Sequence, residues 1–115
     1  MGKGWQVKPL MTLTKLKLTH ADVLKSVRDL LKRYGVFHYK HAGGPFNQVG
    51  VSDIIGMTRT GRFFAIEVKR PGDQLTEKQR LFLDAVRHHG GIAVVAIGYD
   101  APVQVAKALE LPVLF

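Results

Sequence analysis

The strongest constraint on how this chain folds is a pair of apolar runs joined by the short link Arg59-Thr60-Gly61-Arg62. Val51 to Thr58 and Phe63 to Lys69 both read as strands. A link this short, with a Gly suited to a left-handed position, makes them an antiparallel hairpin. If Arg59, Thr60 and Gly61 form the turn, Thr58 faces Arg62, and counting back sets Asp53 opposite Glu67. Each of these acids interrupts an apolar stretch, Val51-Ser52-Asp53-Ile54-Ile55 in one case and Phe63-Phe64-Ala65-Ile66-Glu67-Val68-Lys69 in the other. A buried ionised carboxylate costs several kcal/mol unless it is paired or holds a metal. Something has to hold these two.

The remainder of the chain alternates between helical and strand periods. Val23, Val27, Leu30, Leu31 and Tyr34 recur at helical spacing, Thr19 is placed to cap the start, and Gly35 stops the helix. Val36 to Lys40 reads as a strand, followed by the loop His41 to Pro45. Thr76 opens a second helix with Gln79, Phe82, Leu83 and Val86 on one face, and Gly90-Gly91 ends it. Ile92 to Ile97 is nearly all apolar, as expected of a strand buried on both faces. A last helix covers Val103 to Leu109, with Pro102 near its first turn. The expected order is αβββαβα, an α+β fold with a mixed central sheet flanked by helices. Residues 1–18 read as a basic arm in which Lys3, Lys8, Lys15 and Lys17 alternate with leucines, and residues 19–115 as one domain.

Charge narrows the class of partner. Seventeen Lys and Arg against nine Asp and Glu leave +8 on a chain of 115 residues, and a pI near 10.1 points to a polyanion, nucleic acid before membrane. Cysteine is absent, which excludes disulfides, thiolate zinc sites and Cys nucleophiles. No apolar run approaches the ~20 residues of a membrane span, and Met1 to Gln6 has no signal-peptide core, so a cytoplasmic location is expected. His38 and His41 differ by three in a β context and point to opposite faces, while His88 and His89 are neighbours near a helix end, so zinc is not favoured.

Opposed strand positions bring Cβ atoms to about 4.5–5.5 Å, close enough for two carboxylates to share an ion. Two hard oxygen ligands suit Mg²⁺ or Mn²⁺. Strand parity puts Lys69 on the face of Glu67, where an ammonium can orient water or neutralise phosphate charge. Such a constellation fits metal-assisted hydrolysis of a phosphodiester.

Asp53, followed after thirteen residues by Glu67-Val68-Lys69, resembles the D…(D/E)xK signature of the PD-(D/E)xK nuclease superfamily. The wider string, Gly50 to Ile55, Glu67-Val68-Lys69 and Pro71 to Gln79, resembles the VRR-Nuc (virus-type replication–repair nuclease) family from Asp22 to about Ile97. Ser52 stands where the family has the Pro of its PD pair. The resemblance implies a restriction-endonuclease-like core and a Mg²⁺- or Mn²⁺-dependent endodeoxyribonuclease. Asp53, Glu67 and the Val68 carbonyl would be metal ligands, Lys69 the catalytic lysine and Gln79 the helix glutamine of the site. Asp22 would stand where a Glu of the first helix usually sits. Small members of the family act as homodimers on branched DNA such as four-way Holliday junctions, in phages and bacteria, a setting of DNA repair. Lys15, Lys17, Asn47, Gln48 and Arg70 are the expected DNA contacts.

Plainer readings stand beside these. Thr76-x-x-Gln79 fits a capping box, and a cap and a site contact are expected to compete for one amide orientation. Asp22, three residues after Thr19, favours the helix dipole whatever else it does. Phe63 and Phe64 read as core, a subunit interface being the alternative place for one of them. The rival functions are a basic nucleic-acid-binding module whose acids only make salt bridges, and a nuclease subunit active only within a larger replication or repair assembly.

Overall fold

The protein is described by a computed structural model over residues 18–43 and 48–112. The basic arm, with Lys15 and Lys17, and the loop residue Asn47 lie outside the described residues. Helix α1 (His20–Arg33) starts where Thr19 accepts the Asp22 N–H on its hydroxyl at 3.0 Å, and Asp22 returns the favour by accepting the Thr19 N–H at 2.9 Å. Its apolar stripe buries Val23, Val27 and Leu31. Gly35, at φ +64°, turns the chain into strand β1 (Phe37–Lys40).

Strands β2 (Ile54–Met57) and β3 (Phe63–Lys69) form the expected hairpin. The pairs run from Met57↔Phe63 to Ile54↔Ile66, and the Thr58 N–H donates to the Arg62 carbonyl at 2.8 Å across a turn in which Gly61 has φ +86°. β2 is shorter than the apolar run: Val51, Ser52 and Asp53 precede the ladder rather than pairing in it. Helix α2 (Glu77–His88) then crosses over to β4 (Ile92–Ile97), which lies parallel to β3. A 3₁₀ turn (Gly98–Asp100) leads into helix α3 (Ala101–Ala108), with Pro102 in its first turn. The order is αβββαβα, a four-stranded mixed sheet of order β1-β2-β3-β4 with helices on both faces.

β3 is the central buried strand, sealed from Phe64 to Val68. One face carries Ile54, Phe64, Ile66, Val68, Val94 and Ala96 against α1 and α3. The other packs Ala65 against Leu83 and Val86 of α2. β4 has helices packed on both faces, as its nearly all-apolar run leads one to expect, while standing at the sheet edge with Ile97 exposed. Phe64 is fully buried, whereas Phe63 is exposed beside Phe37, Tyr39 and Met57. Phe37, Met57 and Phe63 are register partners across three strands, so this bare strip lies on the half of the sheet that α2 does not reach.

Candidate active site

The β2–β3 ladder ends at Ile54↔Ile66, one residue short of Asp53 and Glu67, and the two carboxyl groups lie close enough to act on each other. Asp53 sits in the bend that enters β2. Its carbonyl accepts the His41 N–H at 2.8 Å, and its Oδ2 accepts the Val68 N–H at 2.8 Å. That second bond ties the carboxylate to the backbone of the next strand and leaves Oδ1 for other partners.

Glu67 is 2% exposed. Its Oε2 lies 3.8 Å from Lys69 Nζ, while Oε1 is buried with no hydrogen-bond partner among the described residues. Burial pushes the Glu67 carboxyl up to about 8, the neighbouring Asp53 charge pushes the same way, and Lys69 opposes both. A buried acid with an unanswered oxygen beside a second acid is a pair of donors that a divalent cation could satisfy. Among the described residues no three His, Cys, Asp or Glu side chains close around a point that could hold an ion. Two carboxylates with further places open to water, backbone carbonyl and substrate oxygen are the provision Mg²⁺ ordinarily takes, and Mn²⁺ accepts the same ligands.

Lys69 shares the face of Glu67, and its Nζ donates to Gln79 Oε1 at 3.0 Å. The same Oε1 accepts the Thr76 N–H at 2.9 Å, and Thr76 Oγ1 accepts the Gln79 N–H at 3.1 Å. The expected competition between cap and site contact is therefore corrected. One carbonyl oxygen with two lone pairs serves both, so a single amide orientation suffices.

The loop before Asp53 is pinned to the first turn of α2. Gly50 has φ +91°, and a Cβ there would lie 2.8 Å from the Lys78 carbonyl oxygen. A cleft opens beside Asp53, lined by His41, Gly43, Gln48, Val49, Gly50 and Val51. Gln48 is thus at the site's edge. Arg70, the residue after β3, spends its guanidinium on Asp73, with Nε 3.0 Å from Oδ2. The Asp22 carboxylate is exposed and engaged in the α1 cap, which holds it below the usual carboxylate range.

The residue sequence reasoning missed is His20. It opens α1, and its Nε2 lies 3.4 Å from Asp53 Oδ1. The available signal was its position next to Thr19: the first turn of α1 was already directed at the site through Asp22, and the side chain that reaches Asp53 is the one two residues earlier.

The VRR-NUC domain family model matches residues 16–100. A solved VRR-NUC domain protein shares the fold with TM-score 0.65 and 23% identity, over 78% of this chain and 86% of that one. The Holliday junction resolvase Hjc of Archaeoglobus fulgidus, an archaeal hyperthermophile, aligns with TM-score 0.48 and 26% identity, over 65% of this chain and 67% of that one. No curated protein matches the sequence. With acids, lysine and helix glutamine all inside the matched span, this chain belongs to the VRR-NUC domain family of nucleases.

Proposed function

We propose that this chain is a divalent-metal-dependent endodeoxyribonuclease that cuts branched DNA, four-way junctions above all, as a homodimer. The observation that carries the reading is Glu67: buried, beside Asp53, and holding an oxygen that nothing in the described fold answers. Asp53, Glu67 and the Val68 carbonyl would hold Mg²⁺ or Mn²⁺. When bound, such an ion polarises a phosphate and lowers the pKa of a water.

The chain's own groups do the rest. Val68 N–H fixes the Asp53 carboxylate, so its open oxygen is oriented before substrate arrives. Lys69, steadied by Gln79, presents its ammonium to the attacking water or to the phosphate charge that grows in the transition state. Gln48 and Arg70, with Lys15, Lys17 and Asn47, contact DNA, and the +8 charge gives an association that weakens as salt rises. Asp22 serves the site by starting α1 in place.

The bare strip of Phe37, Tyr39, Met57 and Phe63 supports a second copy as its cover, since a contiguous apolar patch on a small basic protein marks an interface. Two sites facing opposed strands of a junction need such a pair. The cellular setting that fits is the cytoplasm of a bacterium or phage-infected cell, on DNA under repair.

The test is a cleavage assay on four-way junction, flap, single-stranded and linear duplex DNA with Mg²⁺ and with Mn²⁺. Preferential cutting of the junction, absent in Glu67→Gln, supports the reading. Binding without cutting on every substrate makes the chain a binding module, and cutting only after an added partner makes it a subunit of a larger assembly.

A further inference from the structure

His20 has no role in the reading above, yet it is the side chain of α1 that lies against Asp53. Its place is fixed on both sides. Leu18 precedes the Thr19 cap, and Val23 follows one turn later, the two positions of a hydrophobic staple, and both pack into the cluster that holds Ile54, Ile66 and Val68. His20 lies between these anchors, its side chain 47% exposed, with Nε2 3.4 Å from Asp53 Oδ1. Asp53 Oδ2 is already tied to the Val68 N–H at 2.8 Å. The two ends of the carboxylate thus face two different elements, a strand backbone and a helix start.

We propose that His20 is a positioning residue for the metal site, its imidazole N–H steering Asp53 Oδ1 so that this oxygen keeps the orientation in which it can meet an ion together with Glu67. The inference rests on the metal-dependent reading above. Groups that orient a ligating carboxylate typically change metal affinity 10- to 100-fold when removed. The imidazole acts through Asp53 rather than on the ion, because among the described residues no third His, Asp or Glu side chain joins the two acids around one point.

The experiment measures Mn²⁺ binding to the metal-free protein by calorimetry, without DNA, for wild type, His20→Ala, His20→Gln and Asp53→Asn, with thermal denaturation of each apoprotein alongside. His20→Ala is expected to weaken Mn²⁺ binding about tenfold with an unchanged apoprotein Tm, since the side chain is half exposed and Thr19 still caps the helix. His20→Gln restores most of the affinity, its amide N–H standing in for Nε2–H. Electron spin echo spectra of bound Mn²⁺ should carry no imidazole nitrogen modulation. Equal Mn²⁺ affinity in wild type and His20→Ala overturns the proposal, as does nitrogen modulation that His20→Ala removes, which would make His20 a direct ligand. If Asp53→Asn also binds Mn²⁺ like wild type, the metal-site reading itself fails. If only Asp53→Asn loses binding, that reading stands without His20.

Discussion

Lys69 and the Thr76 backbone meet on one atom: Gln79 Oε1 lies 3.0 Å from the Lys69 ammonium and 2.9 Å from the Thr76 N–H. The start of α2 and the Lys69 ammonium are therefore set by the same carbonyl, and the helix cannot shift without moving the amine. Substitutions at position 79 separate these duties. Gln79→Glu keeps an N3 acceptor and the capping box, so stability should hold within about 0.5 kcal/mol, while a carboxylate on Lys69 adds negative charge beside Glu67 and should cut the rate at least tenfold. Gln79→Ala loses both functions and should cost about 0.5–1 kcal/mol in denaturant unfolding as well as activity.

Asp53→Asn and Glu67→Gln should each lower cleavage by roughly 10³ or more, the scale on which transition-state electrostatics are lost. DNA affinity measured without metal should rise for Asp53→Asn, which removes a carboxylate that repels phosphate, and stay equal at neutral pH for Glu67→Gln, whose carboxyl is raised to about 8 and already largely protonated. Fluorescence anisotropy on a non-cleaved junction checks the second half of the expectation.

Glu67 should also mark the pH dependence of the apoprotein. Its folded carboxyl is raised from 4.5 to about 8, so the folded state keeps a proton that the unfolded chain has lost in that interval. The contribution is fully present below about 4.5 and is lost as pH climbs through about 8. The stability difference between wild type and Glu67→Gln, measured by urea unfolding in chelator, should move against wild type across this window. Mn²⁺ should reverse the trend at the upper end, because it binds the ionised folded state.

Gly50→Ala tests the seating of the loop that carries Asp53. The new Cβ would lie 2.8 Å from the Lys78 carbonyl oxygen at a left-handed φ of +91°. Destabilisation of about 1–3 kcal/mol is expected, with a loss of activity larger than at Gly61→Ala, where a Cβ meets nothing within 4 Å although φ is also positive.

Much of this was legible because short-range rules decide it. The hairpin register follows from the turn length and parity, so the nearness of Asp53 to Glu67 and the shared face of Glu67 and Lys69 could be counted off. The Thr76-x-x-Gln79 capping box was visible, whereas at α1 the sequence showed Thr19 as the cap and Asp22 only as a favourable charge in the first turn. Position of β4 at the sheet edge was not, because an apolar run looks alike whether helices or strands cover it. His20 was hidden for a similar reason: its role depends on where the N-terminus of α1 lands on the sheet, a tertiary fact that no local period encodes. Sequence reasoning also set the two acceptor duties of Gln79 against each other, because spacing alone does not show that Lys69 and Thr76 approach one oxygen from different sides.

Because Glu67 stands in β3, sealed from Phe64 to Val68 between two helical layers, its amide belongs to the part of the protein that opens last. Deuterium uptake at the amides of Ile66, Glu67 and Val68 should then track whole-molecule opening, while those of the exposed Gln48 and Val49 exchange earlier. A chain arranged this way holds Glu67 still and leaves any adaptation to a partner's shape to the segments around it.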